Sequence, residues 1–414
     1  MRLIVSASKG YRFEILAAWA AFMVLPSLHL YKMFGLVGIT TYALCATALF
    51  IIGYPVVRSQ LWPRLSDRQV KVLTVLTLGA LSVGFILVYR FLNLRLESGG
   101  GDRDDAMVMA CSALMRGTYP YYGTTFLHGG ITTMPGAVLL AIPFFLLGNI
   151  GYQNIFWIAV ILASMPRLFD GTRSQLLLLW VVLLFCPTVL KEMALAGDLI
   201  ANALYVAVFS GILMKSLYER SSKLTTIFWC VLLGIGLSSR ANFLLCAPLL
   251  FSAIYQESGL KAAVKYLGVA LAVFALVTLP FYLYDPHGFS PIAYNLGRVR
   301  SLSAWIKCLV LAPTLALLGA LCLKRVGNGL TTVFGNMALV QGVFLSTMIL
   351  VQILTKSMGA RLSINFTGHG QLFMWFGVIW CWATVERGLE AGEATKRGKE
   401  ATSDGRAGVR EGIP

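Results

Sequence analysis

The chain has 414 residues, of which 57 % are hydrophobic and 13 % charged, with a mean hydropathy of +0.75. Such a composition excludes a soluble globular domain of this length. A net charge of +16 would suggest a nucleic-acid partner in a soluble protein, but here the cations sit in short loops between apolar runs, where positive residues orient helices, so none is expected.

The N-terminal segment carries Arg2, Lys9 and Arg12. The apolar run that follows, 13–30, is too long for a signal peptide and has no A-x-A-like cleavage site, so no cleavable signal is expected. From there, thirteen apolar segments follow: 13–31, 34–57, 70–92, 133–148, 152–168, 174–190, 199–216, 224–238, 241–256, 263–284, 303–323, 331–355 and 370–387. They lack the alternation of a membrane barrel, and a hydrocarbon core of about 30 Å needs runs of this order to be crossed as helices. The sequence therefore predicts an all-α polytopic bundle over 1–387, with an external loop at 93–132. A polar tail over 388–414, mixing both charge signs with Gly and Ala, is expected to be disordered and cytoplasmic.

Cationic residues at both ends place both termini in the cytoplasm, which requires an even number of crossings. Segment 133–148 is short and interrupted by Pro135 and Pro143. With it lying in the outer interface, about twelve helices cross, and 22 of the 34 Lys and Arg fall inside. The alternative is one long crossing over 224–256, broken at Ser238-Ser239-Arg240. The expected location is a membrane, crossed many times. All four histidines (His29, His128, His287, His369) then land on the outer face, with polar knots at 191–198, 238–242, 285–300 and 356–369. Polar groups near membrane depth usually mark a pathway or an active site.

The densest of these features is Asp102-Arg103-Asp104-Asp105, preceded by Gly99-Gly100-Gly101. The chain has 18 acidic residues, six of them in 386–411, yet three of the remaining twelve fall within four positions here. Apolar residues at helical spacing follow (Ala106, Met109, Ala110, Ala113, Leu114), which predicts an amphipathic surface helix over 106–117 with Asp102 or Asp104 near its start. The eight cysteines are scattered and form no CxxC pair, so neither a disulfide framework nor a zinc site is predicted. No histidine spacing supports a metal, and no cofactor is predicted.

In this order the motifs resemble the GT-C superfamily of integral-membrane glycosyltransferases. The elements are an early acidic residue in a large external loop, a surface helix ending in Gly117-Thr118-Tyr119-Pro120-Tyr121 (a G-x-x-P-Y element), and a Pro-containing apolar segment. Gly197-Asp198 before a helix and Ser239-Arg240 followed by Pro248 resemble later elements of its bacterial mannosyl- and arabinosyltransferase-like group. The resemblance spans about 85–300 and implies a sugar donor linked to a polyprenyl phosphate, a glycan or lipid acceptor of the cell envelope, and membrane lipids as partners. An inverting transferase needs a carboxylate to take the acceptor proton. Asp104 or Asp105 is the first choice and Asp102 the third, each weighed against a plain helix-capping role. The departing phosphate needs Arg or Lys: Arg240 first, then Arg298, Arg300 and Arg361, weighed against interface snorkelling. Tyr121, Tyr122, His128, Asp198 and His369 are candidate substrate contacts, the tyrosines weighed against an interfacial aromatic belt and Asp198 against an N-cap. The rival functions are a secondary transporter, for which no inverted repeat or pair of Gly/Pro-broken helices is visible, and a non-catalytic subunit of an envelope-glycan assembly.

Overall fold

With no water in a bilayer core, backbone polar groups must be satisfied within each apolar run, and the helix does this locally. In the computed structural model, which describes residues 13–27, 30–92, 102–169, 174–293, 304–325, 329–356 and 370–407, each predicted apolar segment holds a helix and no strand occurs among the described residues. The helices are α1 (Phe13–Ser27), α2 (Leu30–Ala48, continued through π-type turns to Arg64), α3 (Asp67–Leu92), α4 (Arg103–Met115), α5 (Pro135–Leu146), α6 (Tyr152–Leu168), α7 (Gln175–Phe185), α8 (Pro187–Ala194), α9 (Leu199–Tyr218), α10 (Lys223–Leu237), α11 (Cys246–Ser258), α12 (Leu260–Tyr284), α13 (Ala304–Leu323), α14 (Leu330–Lys356) and α15 (Gln371–Ala407).

Among the described residues, six helices are long and apolar enough to cross a membrane, or seven with α7 and α8, bent by 86° at their junction, taken as one span. The chain is a multi-pass helical membrane protein. The expectation of about twelve crossings goes beyond this number because it counts every apolar run except 133–148 as a crossing. At 1.5 Å per residue, the 15 residues of α10 and the 13 of α11 fall short of 30 Å. The bend at α7–α8 has a local cause: Pro187 opens α8, where its missing N–H is harmless at a first turn but ends the helix before it. The last helix runs on to Ala407, past the boundary at residue 387 that the composition suggests. Ala, Glu and Lys recur there, and all three favour helix.

The centre is α9. Its residues are apolar on every face, the pattern of a helix enclosed by others, and it packs against α6, α8, α10, α11, α14 and α15. Elsewhere, close approach is bought with glycine. A Cβ on Gly136 would run into the Ile235 carbonyl and the Ser238 backbone. Instead, the Gly136 N–H donates to the Ser238 carbonyl at 2.9 Å and the Met134 N–H to the Ser239 carbonyl at 3.3 Å. The start of α5 is thereby tied to the break after α10.

Candidate active site

Three polar breaks in the chain meet. The first is the start of α4. Asp102 is its N-cap residue, yet its side chain makes no capping hydrogen bond. Its Oδ2 instead accepts the Thr125 hydroxyl at 2.6 Å. Thr125 sits in a tight turn closed by its own N–H to the Gly129 carbonyl at 2.9 Å. The second break is the α8–α9 turn. Arg103 Nη1 donates to both Glu192 carboxylate oxygens, at 3.1 and 3.0 Å, and Glu192 Oε1 also accepts the Leu199 N–H at 3.1 Å. Gly197 is needed there because a Cβ would collide with the Glu192 carboxylate. The third break is 238–242, between α10 and a 3-10 turn, Ala241–Leu245. Arg240 bonds the Asp198 carboxylate, which also accepts from Asn202 Nδ2 at 2.8 Å. Burial alone would raise the Asp198 carboxyl, but the Arg240 and Arg103 guanidiniums outweigh it and hold it below the usual carboxylate range.

The first and third breaks open on a cavity of about 640 Å³, and the second supports its wall through Arg103 and Arg240. Its polar part is formed by Asp102, Arg103, Thr125, Thr132, Thr133, Arg240, Asn242, Lys307 and Gln341; its apolar part by Leu245, Val310, Leu311, Phe344, Leu345, Met348, Leu372 and Phe373. A single amphipathic cavity of this size accommodates a molecule with a hydrophilic head and a hydrocarbon tail. Asn242 Nδ2 donates to Gln341 Oε1 at 2.8 Å, a pair of amides inside an otherwise apolar wall. No group of three or more potential metal ligands exists among the described residues.

The candidate residues separate clearly. Asp102 and Arg240 line the cavity. Asp198 does not line it but holds Arg240. Asp104 and Asp105 lie in the first turn of α4 and are absent from the cavity wall. Asp104 is 2 % exposed and accepts the Tyr89 hydroxyl at 3.0 Å. Burial raises its carboxyl above the usual range, with the Tyr89 hydrogen bond pulling the other way. Tyr121 is buried with its ring edge-on to Phe289 at 4.9 Å, and Tyr122 donates to Asp285 at 3.2 Å. Both belong to an aromatic cluster that fastens the loop after α4 to the end of α12, where the Tyr119 hydroxyl meets the Phe281 carbonyl at 2.8 Å. His128 is exposed at a positive φ of 57°, away from the cavity wall. Arg298, Arg300, Arg361 and His369 lie outside the described residues. Gly117 of the G-x-x-P-Y element has φ 68°. It closes α4 with its N–H on the Leu114 carbonyl at 3.0 Å and the Thr118 N–H on the Ala113 carbonyl at 2.9 Å, a Schellman cap that favours glycine.

Sequence reasoning passes over Glu192, Thr125, Asn242, Lys307 and Gln341. Glu192 carried a signal as one of the few acidic residues outside the tail, Asn242 as part of the polar knot at 238–242, and Lys307 as a cation inside an apolar run. Gln341 carried none.

Neither the curated proteins nor the solved structures contain a match to the chain. Residues 165–306, about a third of the chain, match the family model described as ALG3 protein, a family of dolichyl-phosphate-mannose-dependent, GT-C-like membrane glycosyltransferases. The matched stretch contains Glu192, Asp198, Arg240 and the start of α13, and the similarity supports a membrane glycosyltransferase using a polyprenyl-phosphate sugar donor.

Proposed function

We propose that the protein transfers a sugar from a polyprenyl-phosphate-linked donor to a hydroxyl of an envelope glycan or lipid, at the outer face of a bacterial inner membrane, on a GT-C-like scaffold. The observation that carries this reading is the amphipathic cavity with a carboxylate and a guanidinium on its polar wall. Asp102 is the base. Its carboxylate is not spent on capping α4, and the Thr125 hydroxyl fixes one oxygen at 2.6 Å. The acceptor oxygen attacks the anomeric carbon, its proton passes to Asp102, and the bond from that carbon to the phosphate oxygen breaks with its electron pair leaving on the phosphate. One displacement inverts the anomeric centre. Arg240, oriented by Asp198, faces the negative charge that grows on the leaving group.

Asp102→Asn tests this. It keeps size and the Thr125 acceptor but removes basicity, so transfer should fall by about 10²–10⁴ while donor binding persists. Wild-type transfer by the Asn variant would remove Asp102 from the chemistry. Transfer is assayed first with a mannosyl donor, following the family match, then with other hexosyl and pentosyl donors. Location is tested with cysteines placed at Ser98 and Ser403 in a background lacking Cys45 and Cys308, the two exposed thiols. An impermeant reagent should label only the first in intact cells; labelling of both, or of Ser403Cys alone, overturns the proposed orientation.

A further inference from the structure

We infer that Lys307 is the seat of the lipid carrier's phosphate, with the carrier's chain lying from it along the faces of α13 and α14. The inference rests on the donor class proposed above and deepens it by naming a residue outside the sequence-derived set.

Three cations line the cavity. Arg103 is committed to Glu192 through two hydrogen bonds, and Arg240 is committed to Asp198. Lys307, half-buried on α13, has no carboxylate within 4.0 Å and no hydrogen-bond partner among the described residues. An ionisable side chain kept in an apolar span without a partner is costly, and such residues mark where a charged ligand passes or binds. The other two cations are already held by carboxylates, so the Lys307 ammonium is the one lining cation among the described residues that no carboxylate engages.

The surroundings fix the ligand's other half. Val310 and Leu311 stand three and four positions after Lys307 on one helical face, and both line the cavity. Across from them, Gln341, Phe344, Leu345 and Met348 repeat the same i, i+3, i+4, i+7 spacing on α14 and line it too. Each helix thus presents one polar residue followed by a turn or two of apolar ones. α13 and α14 meet through a small cluster of Ile306, Val310 and Val351 with Phe344 and Met348, separate from the main core. A phosphate with a hydrocarbon chain matches this gradient; a sugar alone has nothing to place against the apolar half, and a free anion leaves it empty.

The test measures equilibrium binding to the purified full chain in nanodiscs, using polyprenyl phosphate and the uncharged polyprenol of equal length as probes. Wild-type protein should prefer the phosphate by about tenfold or more, the range of a charge-assisted contact. Lys307→Met should cut the preference for phosphate by about tenfold and leave polyprenol binding unchanged, which also establishes that the variant is folded. Lys307→Arg should restore the preference, and Lys307→Gln serves where the Met variant does not insert. An undiminished preference in Lys307→Met, or in Lys307→Gln, overturns the assignment while leaving the donor class standing. Absence of any preference in wild-type protein overturns both. Displacement of the lipid by an equal concentration of inorganic phosphate would mean that the site takes the anion without its chain, and would overturn the assignment as stated.

Discussion

Two regions of the molecule bury an arginine–carboxylate pair, and they differ in what surrounds it. In one, Arg240 meets Asp198. In the other, Arg58 Nε meets Glu386 Oε2 at 2.9 Å and the Tyr54 hydroxyl donates to the same carboxylate. Glu386 is as deeply enclosed as Asp198. Neither Arg58 nor Glu386 borders the cavity; they join α2 to α15, near where the Trp382 indole donates to Ser174 at 3.1 Å. A buried ion pair is therefore not by itself evidence of a site, since desolvation offsets most of its attraction wherever it occurs. The Asp198 pair is distinguished by geometry: its guanidinium faces open space shared with a carboxylate, an ammonium and an apolar wall.

The sharpest way to break that comparison is to remove both pairs in turn. Asp198→Ala leaves the Arg240 charge buried and unpaired, which typically costs about 3–5 kcal/mol, and it should abolish transfer. Glu386→Ala should also destabilise, but the protein that remains folded should turn over normally. The double replacements separate the regions further. Arg58→Met with Glu386→Gln, in which Gln still accepts from Tyr54, should recover both stability and activity. Asp198→Leu with Arg240→Met should recover stability alone, measured as thermal midpoint against transfer rate. Full activity in the second double variant would make the Asp198 pair as structural as the Glu386 pair.

A smaller effect isolates the scaffold. Gly136→Ala places a methyl against the Ile235 carbonyl, and overpacking of this kind costs roughly 1–3 kcal/mol. Because Met134 and Gly136 bond to Ser239 and Ser238, the shift should be transmitted to Arg240 and raise the KM for donor more than it lowers kcat. A thermal loss with unchanged KM would mean that α5 supports the fold without setting the position of the third break.

How far these features were legible depends on whether their cause is local. Helices over 152–168 and 199–216 follow from apolar runs, and α6 and α9 begin and end within two residues of them. Arg240 stood out as an isolated cation in a break, and it does line the cavity. Its partner Asp198 lies 42 positions away, and Arg103 finds Glu192 at a separation of 89. Pattern and spacing carry no information about such pairings, because they arise from packing of helices distant in the chain. For the same reason the acidic cluster was readable as a cluster but not by member: which of three neighbouring carboxylates faces the cavity depends on the first turn of α4. Gln341 looks like an ordinary residue of an apolar segment until the 3-10 turn and α14 are brought together and Asn242 pairs with it.

The smallest expected effect is also the one that discriminates within that cluster. Asp104 is enclosed in α4 with its Oδ1 unpartnered, and burial raises its carboxyl above the usual carboxylate range. A carboxyl with a raised pKa in the folded state binds protons more readily there than in the unfolded chain. Its contribution to stability is thus fully present below the unfolded value and is lost as pH rises through the folded one. Above that folded value the charge on Asp104 works against the fold. Asp104→Asn removes that charge and retains an acceptor for Tyr89. The variant should melt slightly higher than wild type near pH 7, with the gap narrowing as pH falls toward the unfolded carboxyl's range. Its transfer rate should stay close to wild type, in contrast to the loss expected for Asp102→Asn. A lowered melting point that does not vary with pH would mean that the charge stabilises α4. A collapse of transfer in Asp104→Asn, with Asp102→Asn active, would move the base from the cavity wall to the buried face of the helix.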